Sequence, residues 1–478
     1  AVRYRAMRLS PGGRFRETAE TDALFPWTER HLQCVWFDEA WRPAGLRSSA
    51  GEEIRVESPG RWNLESGPDF LDAELVVGPG RRRIRGDVEV HIHARDWQAH
   101  GHDRDPAYRR VVAHITYFER PASTAQFPPG TLQIALAPAL KANRSFSFEG
   151  IDLAAYPHAH LPSTPTACRE ALSTASPSEQ AAFLESAGEE RLRLKAIRME
   201  AAIRENGASQ VLYEEILCAL GYKHNRNPFR KLATLLPLEA LRERSGKDPV
   251  QAYAVLLGLA GLMPAQTSAA WDTETRRFVR SLWDLWWKVK ATLEPLCLSR
   301  RDWHLSGIRP VNHPARRLAA AAALFSGPTK LESLLPSLAA GQPDTVFTKM
   351  ETVLERNSMD YWSRRMSLGG KLQPGAVALL GSGRAAAILS NVVVPWLGAT
   401  GTVITPLLSF LPPEEDSSPV RQTAAAMFGR DHNPALYQTG LRQQGLLQVF
   451  HDYCLNDRTG CRACPLASAL KEEYGSPA

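Results

Sequence analysis

No stretch of this chain approaches the roughly 20 uninterrupted apolar residues that a membrane-spanning helix needs. The most apolar region, residues 376–411, is broken by Arg384, Asn391 and Pro395 and reads as buried helix. Cysteine is sparse: seven occur in 478 residues, four of them scattered. So few cannot staple a chain of this size as a disulfide framework, which points to a reducing compartment and a cytoplasmic protein. The first residues, Ala1-Val-Arg-Tyr-Arg, lack the apolar core of a secretory signal. A repeat of fixed period is missing too, which argues against a solenoid or propeller. Charge of one sign does not dominate, since 57 basic and 51 acidic side chains leave a net charge of only +6. That balance is compatible with a polyanionic partner but does not demand one.

What is present is ordinary in amount. Hydrophobic residues make up 44% of the chain and charged ones 23%, enough to build a large core in a soluble protein. The length predicts two or three domains. Residues 1–23 are polar and Arg-rich and read as a flexible lead-in. Thr28 is a predicted N-cap for a helix running to about residue 41. Strands are expected over 52–56, 70–77 and 83–93, then a short helix over 103–110 and a strand over 111–118. Residues 131–137 add a strand-like piece, and the rest of 120–185, rich in Pro, Ser, Thr and Ala, reads as linker. Apolar spacing of 3.6 residues then predicts helices over 189–204, 208–220, 250–262, 278–293 and 318–325. Trp283, Trp286 and Trp287 fall in one of these and are expected in the core. The organisation expected is an α/β domain over 24–165, a helical domain over 180–445 and a Cys-rich metal-binding tail over 446–478.

The densest chemistry lies between Trp62 and Phe118. Pro68-Asp69 opens one strand-like run, and Glu89 sits inside the next. Side chains alternate along a strand, so Asp87, Glu89, His91 and His93 share one face, and Val88, Val90 and Ile92 the other. The apolar face is expected under a helix, and the polar face lining a cleft. Asp69 and Glu89 on neighbouring strands would hold Mg2+ or Mn2+ through oxygen, with Asp87 assisting. His91 would position or deprotonate the attacking water. The plainer alternative is an exposed sheet face whose histidines are incidental. His100 and His102, with Asp103 and Asp105, allow a rival zinc hydrolase, because Zn2+ favours imidazole and a shell with one open position. Their H-X-H-D-X-D string resembles a metallo-β-lactamase signature without its closing spacing, and the same residues suit capping of the short helix.

Pro68-Asp69 followed by Glu89-Val90-His91, in an order of helix, three strands, helix and strand, resembles the PD-(D/E)XK nuclease superfamily over roughly residues 24–120. The resemblance implies a restriction-endonuclease-like α-β-β-β-α-β core and metal-dependent hydrolysis of phosphodiester bonds in nucleic acid. It also implies a further metal-binding acid early in the first helix, where Glu29 stands. His91 occupies the place of the superfamily's Lys, so an inactive descendant that binds nucleic acid or scaffolds partners stays open. Other motifs extend nearly end to end: Gly67 to Phe70, Gly86 to His91, Asp96 to His102, Gly221 to Phe229 and Arg309 to Arg317. With the terminal cysteines, they resemble a family of uncharacterised bacterial proteins, domain of unknown function 2851. That resemblance implies no activity.

Two basic clusters fall in the helical half. Lys223, Arg226 and Arg230 surround Pro228-Phe229, while Arg309, Arg316 and Arg317 surround Pro310 and Pro314. They are expected to grip phosphates without reading bases, or else to pair with acids such as Glu214, Glu215 and Glu239. At the end of the chain, His451, Cys454, Cys461 and Cys464 have metal-like spacing, since a C-X2-C pair lets two thiolates reach one ion. The cysteine run resembles the iron–sulfur loop of endonuclease III-type DNA glycosylases, but Leu470 stands where the fourth Cys would be. With His451 the set suits structural Zn2+, so either Zn2+ or an iron–sulfur cluster is expected there. Nucleic acid is the expected partner, a membrane is not, and the sequence identifies no protein partner.

Overall fold

The computed structural model describes residues 2–9, 25, 27–64, 67–119, 127–157, 166–222, 225–355, 359–415, 417–455, 461 and 464–474. The chain divides into two compact units. One comprises residues 2–180, 418–433 and 446–478, and the other residues 181–417 and 434–445. No helix among the described residues is long and apolar enough to cross a membrane.

The first unit is built on a mixed sheet of seven strands: β1 (Leu46–Arg47), β2 (Glu53–Ser58), β3 (Arg61–Trp62), β4 (Phe70–Val77), β5 (Arg82–His91), β6 (Val111–Thr116) and β7 (Leu132–Ala135). Their order is β1-β2-β4-β5-β6-β7, with β3 also paired to β4. The first strands run antiparallel, whereas β6 and β7 lie parallel to β5. A parallel neighbour needs a crossover, and residues 92–110 supply it. Helix α1 (Val2–Leu9) opens the chain, and α2 (Glu29–Phe37) starts at Thr28 as expected, with a Thr28–His31 capping box. Leu32, Val35 and Trp36 of α2 pack in one core with Phe70, Val88, Val90, Ile92, Ala113 and Ile115. The apolar parity of β5 therefore lies in the core with α2, as its alternation implied.

Two expectations fail here. The strand expected over 131–137 is β7, but the rest of the segment read as linker is structured too: it holds Ala137–Ala142, Ala167–Leu172 and the start of the long helix Pro177–Asn206. Phe148, Ile151 and Leu153 sit in the sheet's core. Pro, Ser and Ala lowered the apparent hydrophobicity of this stretch, yet a few well-spaced apolar side chains suffice to dock it. The lead-in is helical over Val2–Leu9, where buried Tyr4 donates to Asp452 Oδ2 at 3.1 Å. Residues 10–24 lie outside the described residues. The terminal segment belongs to this same unit, since Phe450 and Leu455 join the core of the sheet.

The second unit is helical. The expected helix Ala208–Leu220 has those bounds, and Pro249–Leu259 is buried on all sides from Ala252 onward. A helix apolar all round must sit inside its neighbours, and its partners include Pro314–Phe325 and Thr273–Trp287. Trp286 is buried, but Trp287 is 64% exposed, against expectation. Pro177–Asn206 and Gly440–Val449 cross where both backbones are bare: a Cβ on Gly188 would overlap the Leu441 carbonyl oxygen, and one on Gly445 the Leu184 carbonyl oxygen. In an open helix Gly→Ala stabilises by about 1 kcal/mol. Here Gly188→Ala is expected to destabilise by about 1–3 kcal/mol through overpacking. Urea denaturation measures the sign, and a stabilised variant would disprove the close crossing.

Candidate metal centre

Pairing of Phe70 with Val88 puts Asp69 opposite Glu89 one step further along the antiparallel ladder. Directly opposed residues share a face, and here their polar groups interlock. The Asp69 amide donates to Glu89 Oε2 at 2.9 Å, and the Val90 amide donates to Asp69 Oδ2 at 3.0 Å. Gln33 of α2 donates to Asp69 Oδ1 at 2.8 Å. Glu29 is buried one helical turn before Gln33, on the same side of α2. Across the parallel ladder Glu89 registers with His114, and His114 with Gln133. A polar row of Asp69, Glu89, His114 and Gln133 thus crosses four neighbouring chain segments.

The crossover brings more imidazoles to this row. Helix α3 (Asp96–Ala99) is anchored by Asp96 Oδ2, which accepts the His93 amide at 2.8 Å, and by buried Trp97. It ends in a complete Schellman motif: Gly101, at φ +74°, donates to the Gln98 carbonyl, and His102 donates to the Trp97 carbonyl. Only a residue tolerant of positive φ suits that point. His100 and His102, on either side of it, are turned towards His91. Tyr108, in the turn Pro106–Arg110, stacks on the His102 ring at 3.9 Å between centroids.

Ring nitrogens of His91, His100 and His102 all lie within 4.8 Å of one another. His91 Nε2 is 3.1 Å from His100 Nδ1 and 3.5 Å from Glu89 Oε1, and His102 Nε2 is 3.3 Å from the same oxygen. Ligand atoms at about 2.0 Å from a tetrahedral ion are roughly 3.3 Å apart. Those three separations already match that spacing. The remaining nitrogen of His91, Nδ1, lies 2.8 Å from His114 Nε2, and His114 Nδ1 lies 3.0 Å from Gln133 Oε1. An amide oxygen only accepts, so His114 carries its proton on Nδ1 and presents Nε2 as an acceptor. Burial, first of all, lowers the His114 pKa to about 4, which keeps the ring neutral. His91 then donates from Nδ1 and turns the Nε2 lone pair towards Glu89 and His100. A hydrogen bond on the far nitrogen is how ligating histidines are oriented. Trp97 and Phe127 contact the His114 ring, and His100 is exposed to solvent.

Residues 29–404 match the family described as Protein of unknown function (DUF2851). The chain belongs to this family. Comparison with curated proteins and with solved structures gives no match. The span matched to DUF2851 contains Asp69, Glu89 and the histidine cluster, and it ends before the terminal cysteines.

Other expected site residues of this DUF2851 chain are placed differently. Asp87 Oδ1 accepts the Asp72 amide at 3.1 Å, supporting a bulge where Asp72 takes φ +57°. His93 leaves the strand and stacks on Phe118 at 4.7 Å. Asp105 caps the Pro106–Arg110 turn through the Ala107 amide, and Asp103 lies 3.6 Å from Arg104. The polar face is buried under the crossover instead of lining an open cleft.

Three of the basic residues, Arg230, Arg316 and Arg317, need correction as phosphate grips. Arg230 is buried against Glu215 at 2.9 Å. Arg316 is buried and donates to the carbonyls of Arg365 and Ala378, and Arg317 to the Leu379 carbonyl and to Asn312. Arg230 thus takes the expected alternative of pairing with an acid, and the Arg316 and Arg317 guanidinium groups satisfy internal loop carbonyls. Arg226 begins the helix Arg226–Leu235, Arg309 is exposed, and Lys223 lies outside the described residues.

Cys454, Cys461 and Cys464 line one cleft, as the spacing suggested. His451 is not among the residues lining it and meets Phe450 edge-on instead. Cys168, one of the cysteines read as scattered, lines that cleft with them. Sequence reasoning also misses His114, Gln33 and Gln133. His114 had one signal, an imidazole in the middle of the apolar strand V-V-A-H-I-T.

Proposed function

We propose that this chain is a metal-dependent hydrolase acting on phosphodiester bonds of nucleic acid. The observation that carries the reading is the convergence of Glu89, His91, His100 and His102 beside Asp69. Three imidazoles and a carboxylate suit an ion that accepts nitrogen as well as oxygen, such as Mn2+ or Zn2+, better than Mg2+. Such an ion would supply Lewis acidity and make water acidic near neutral pH. Glu89, His91, His100 and His102 would hold it, Asp69 would fix Glu89 through the shared backbone clamp, and Glu29 would add negative charge nearby. What supports a nucleic-acid substrate is the set of α2, the antiparallel strands β2, β4 and β5, the crossover and the parallel strand β6 that frames the site, an order that the PD-(D/E)XK resemblance implies. Exposed Arg95, Arg104, Arg109 and Arg110 also lie on the crossover that delivers His100 and His102, where they would attract phosphates.

The three-imidazole set also favours a second reading, a zinc-dependent hydrolase of other esters. Incubation of the chain with single- and double-stranded DNA and RNA, plus Mn2+, Zn2+ or Mg2+, separates the two. Cleavage that needs Mn2+ or Zn2+ and disappears in His100→Ala is the expected result. Hydrolysis of simple esters without nucleic-acid cleavage would transfer the site to the second reading. Salt-sensitive nucleic-acid binding without any cleavage would mark a catalytically silent binding protein.

A further inference from the structure

We propose that Cys168, Cys454, Cys461 and Cys464 together form a four-thiolate metal centre, with Cys168 in the position that the sequence assigned to His451. The proposal is independent of the chemistry at the histidine site. All four cysteines line a single cleft whose other walls include Met427, Val449 and Leu466, and among the described residues lining it there is no carboxylate or imidazole. Sulfur is therefore the donor that the cleft offers in number. Thiolates select thiophilic metals, either Zn2+ or an iron–sulfur cluster.

Local structure explains why a residue 286 positions before Cys454 arrives there. Thr166 caps the helix Ala167–Leu172 by accepting the Arg169 amide, and its hydroxyl donates to the Ala426 carbonyl at 2.5 Å. At the other end Thr174 donates to the Tyr474 carbonyl at 2.7 Å. Ala167–Leu172 is thereby registered against Ser418–Phe428 and Pro465–Tyr474. Cys168 falls in its first turn, and Cys464 immediately precedes the terminal helix. Cys454 closes the π-turn Phe450–Cys454. Cys461 takes φ +72°, an uncommon conformation for a side-chain-bearing residue and one that tertiary context must impose.

A hydrogen bond joins the side chains of Cys168 and Cys464. Only the thiolate ligates, so uptake of a thiophilic metal would release the thiol protons. A centre of this kind would tie the C-terminal segment to Ala167–Leu172 within one unit, closing a long loop of chain.

The test uses the full chain purified without oxygen. X-ray absorption at the metal edge is expected to count four sulfur neighbours and no nitrogen. Iron and acid-labile sulfide with visible absorbance would assign a cluster, while colourless protein with zinc would assign a single ion. Cys168→Ser is expected to lower retained metal at least about tenfold, whereas His451→Ala and Cys297→Ser leave it unchanged. Three sulfurs and one nitrogen in the parent chain would return the fourth position to His451 and overturn the proposal. So would a metal-free parent chain that takes up neither Zn2+ nor iron with sulfide on reconstitution. The absorption measurement stands even if Cys168→Ser does not fold.

Discussion

Glu89→Gln is expected to abolish metal-dependent cleavage while leaving the sheet folded. The amide keeps one oxygen with which to accept the Asp69 amide, the bond that Glu89 Oε2 makes at 2.9 Å. Its other end then presents NH2 to His91 Nε2 and His102 Nε2, which face the carboxylate at 3.5 and 3.3 Å. An NH2 group neither ligates a cation nor carries the negative charge that balances it. Loss of a group that moves a proton or holds the ion costs about 10²–10⁴ in rate. Asp69→Asn is a less selective probe. Both Asp69 oxygens accept, one from Gln33 and one from the Val90 amide. Asn must turn NH2 towards one of those donors, at a stability cost of about 1–3 kcal/mol for the unsatisfied group. Single-turnover cleavage of a labelled oligonucleotide with Mn2+, read beside metal content and far-UV circular dichroism, separates the effects. A Glu89→Gln variant that folds normally and cleaves at the parental rate would remove Glu89 from the reaction.

Much of this site was legible because its first members lie close in sequence and obey strand parity. Asp69 at the entrance of Phe70–Val77 and Glu89 and His91 in Arg82–His91 follow from alternation and from the turn at Gly78 to Gly80. Parity breaks at the bulge opposite Asp87 and at the end of the strand before His93, and neither irregularity has a sequence mark. His114, Gln133 and Gln33 enter through register: a parallel ladder and a helix contact bring together residues whose spacing in the chain is arbitrary. Cys168 was missed for the same reason, since no local pattern ties it to a C-X2-C pair at the far end of the chain. Arg316 and Arg317 misled in the opposite direction. A basic cluster beside prolines reads as surface, yet loops that curl back leave carbonyls in need of donors, and long guanidinium forks reach them.

Acid is expected to unfold the sheet-containing unit through His114. Its ring is buried between His91 on one nitrogen and Gln133 on the other, with Trp97 and Phe127 in contact with it. Burial pushes its pKa down from 6.5 to about 4 against the hydrogen bond with Gln133, the next largest influence, while His102 adds a smaller downward push and Asp69 a smaller upward pull. In the unfolded chain the ring takes up a proton near pH 6.5, whereas in the folded chain it resists until about pH 4. The unfolded state therefore binds more protons throughout that window, and stability must fall as pH falls across it. The stabilisation is complete above pH 6.5 and gone below about pH 4. The gap between those values, at about 1.36 kcal/mol per pH unit, corresponds to a loss of about 3 kcal/mol. Urea midpoints of metal-free protein, followed from pH 7.5 to 4, measure it. His114→Gln retains polar atoms for His91 and Gln133 but cannot titrate, so its stability is expected to decline less steeply over the same range. Parallel curves for the parent and the variant would show that His114 does not titrate there, and the neutral ring that orients His91 would lose its support.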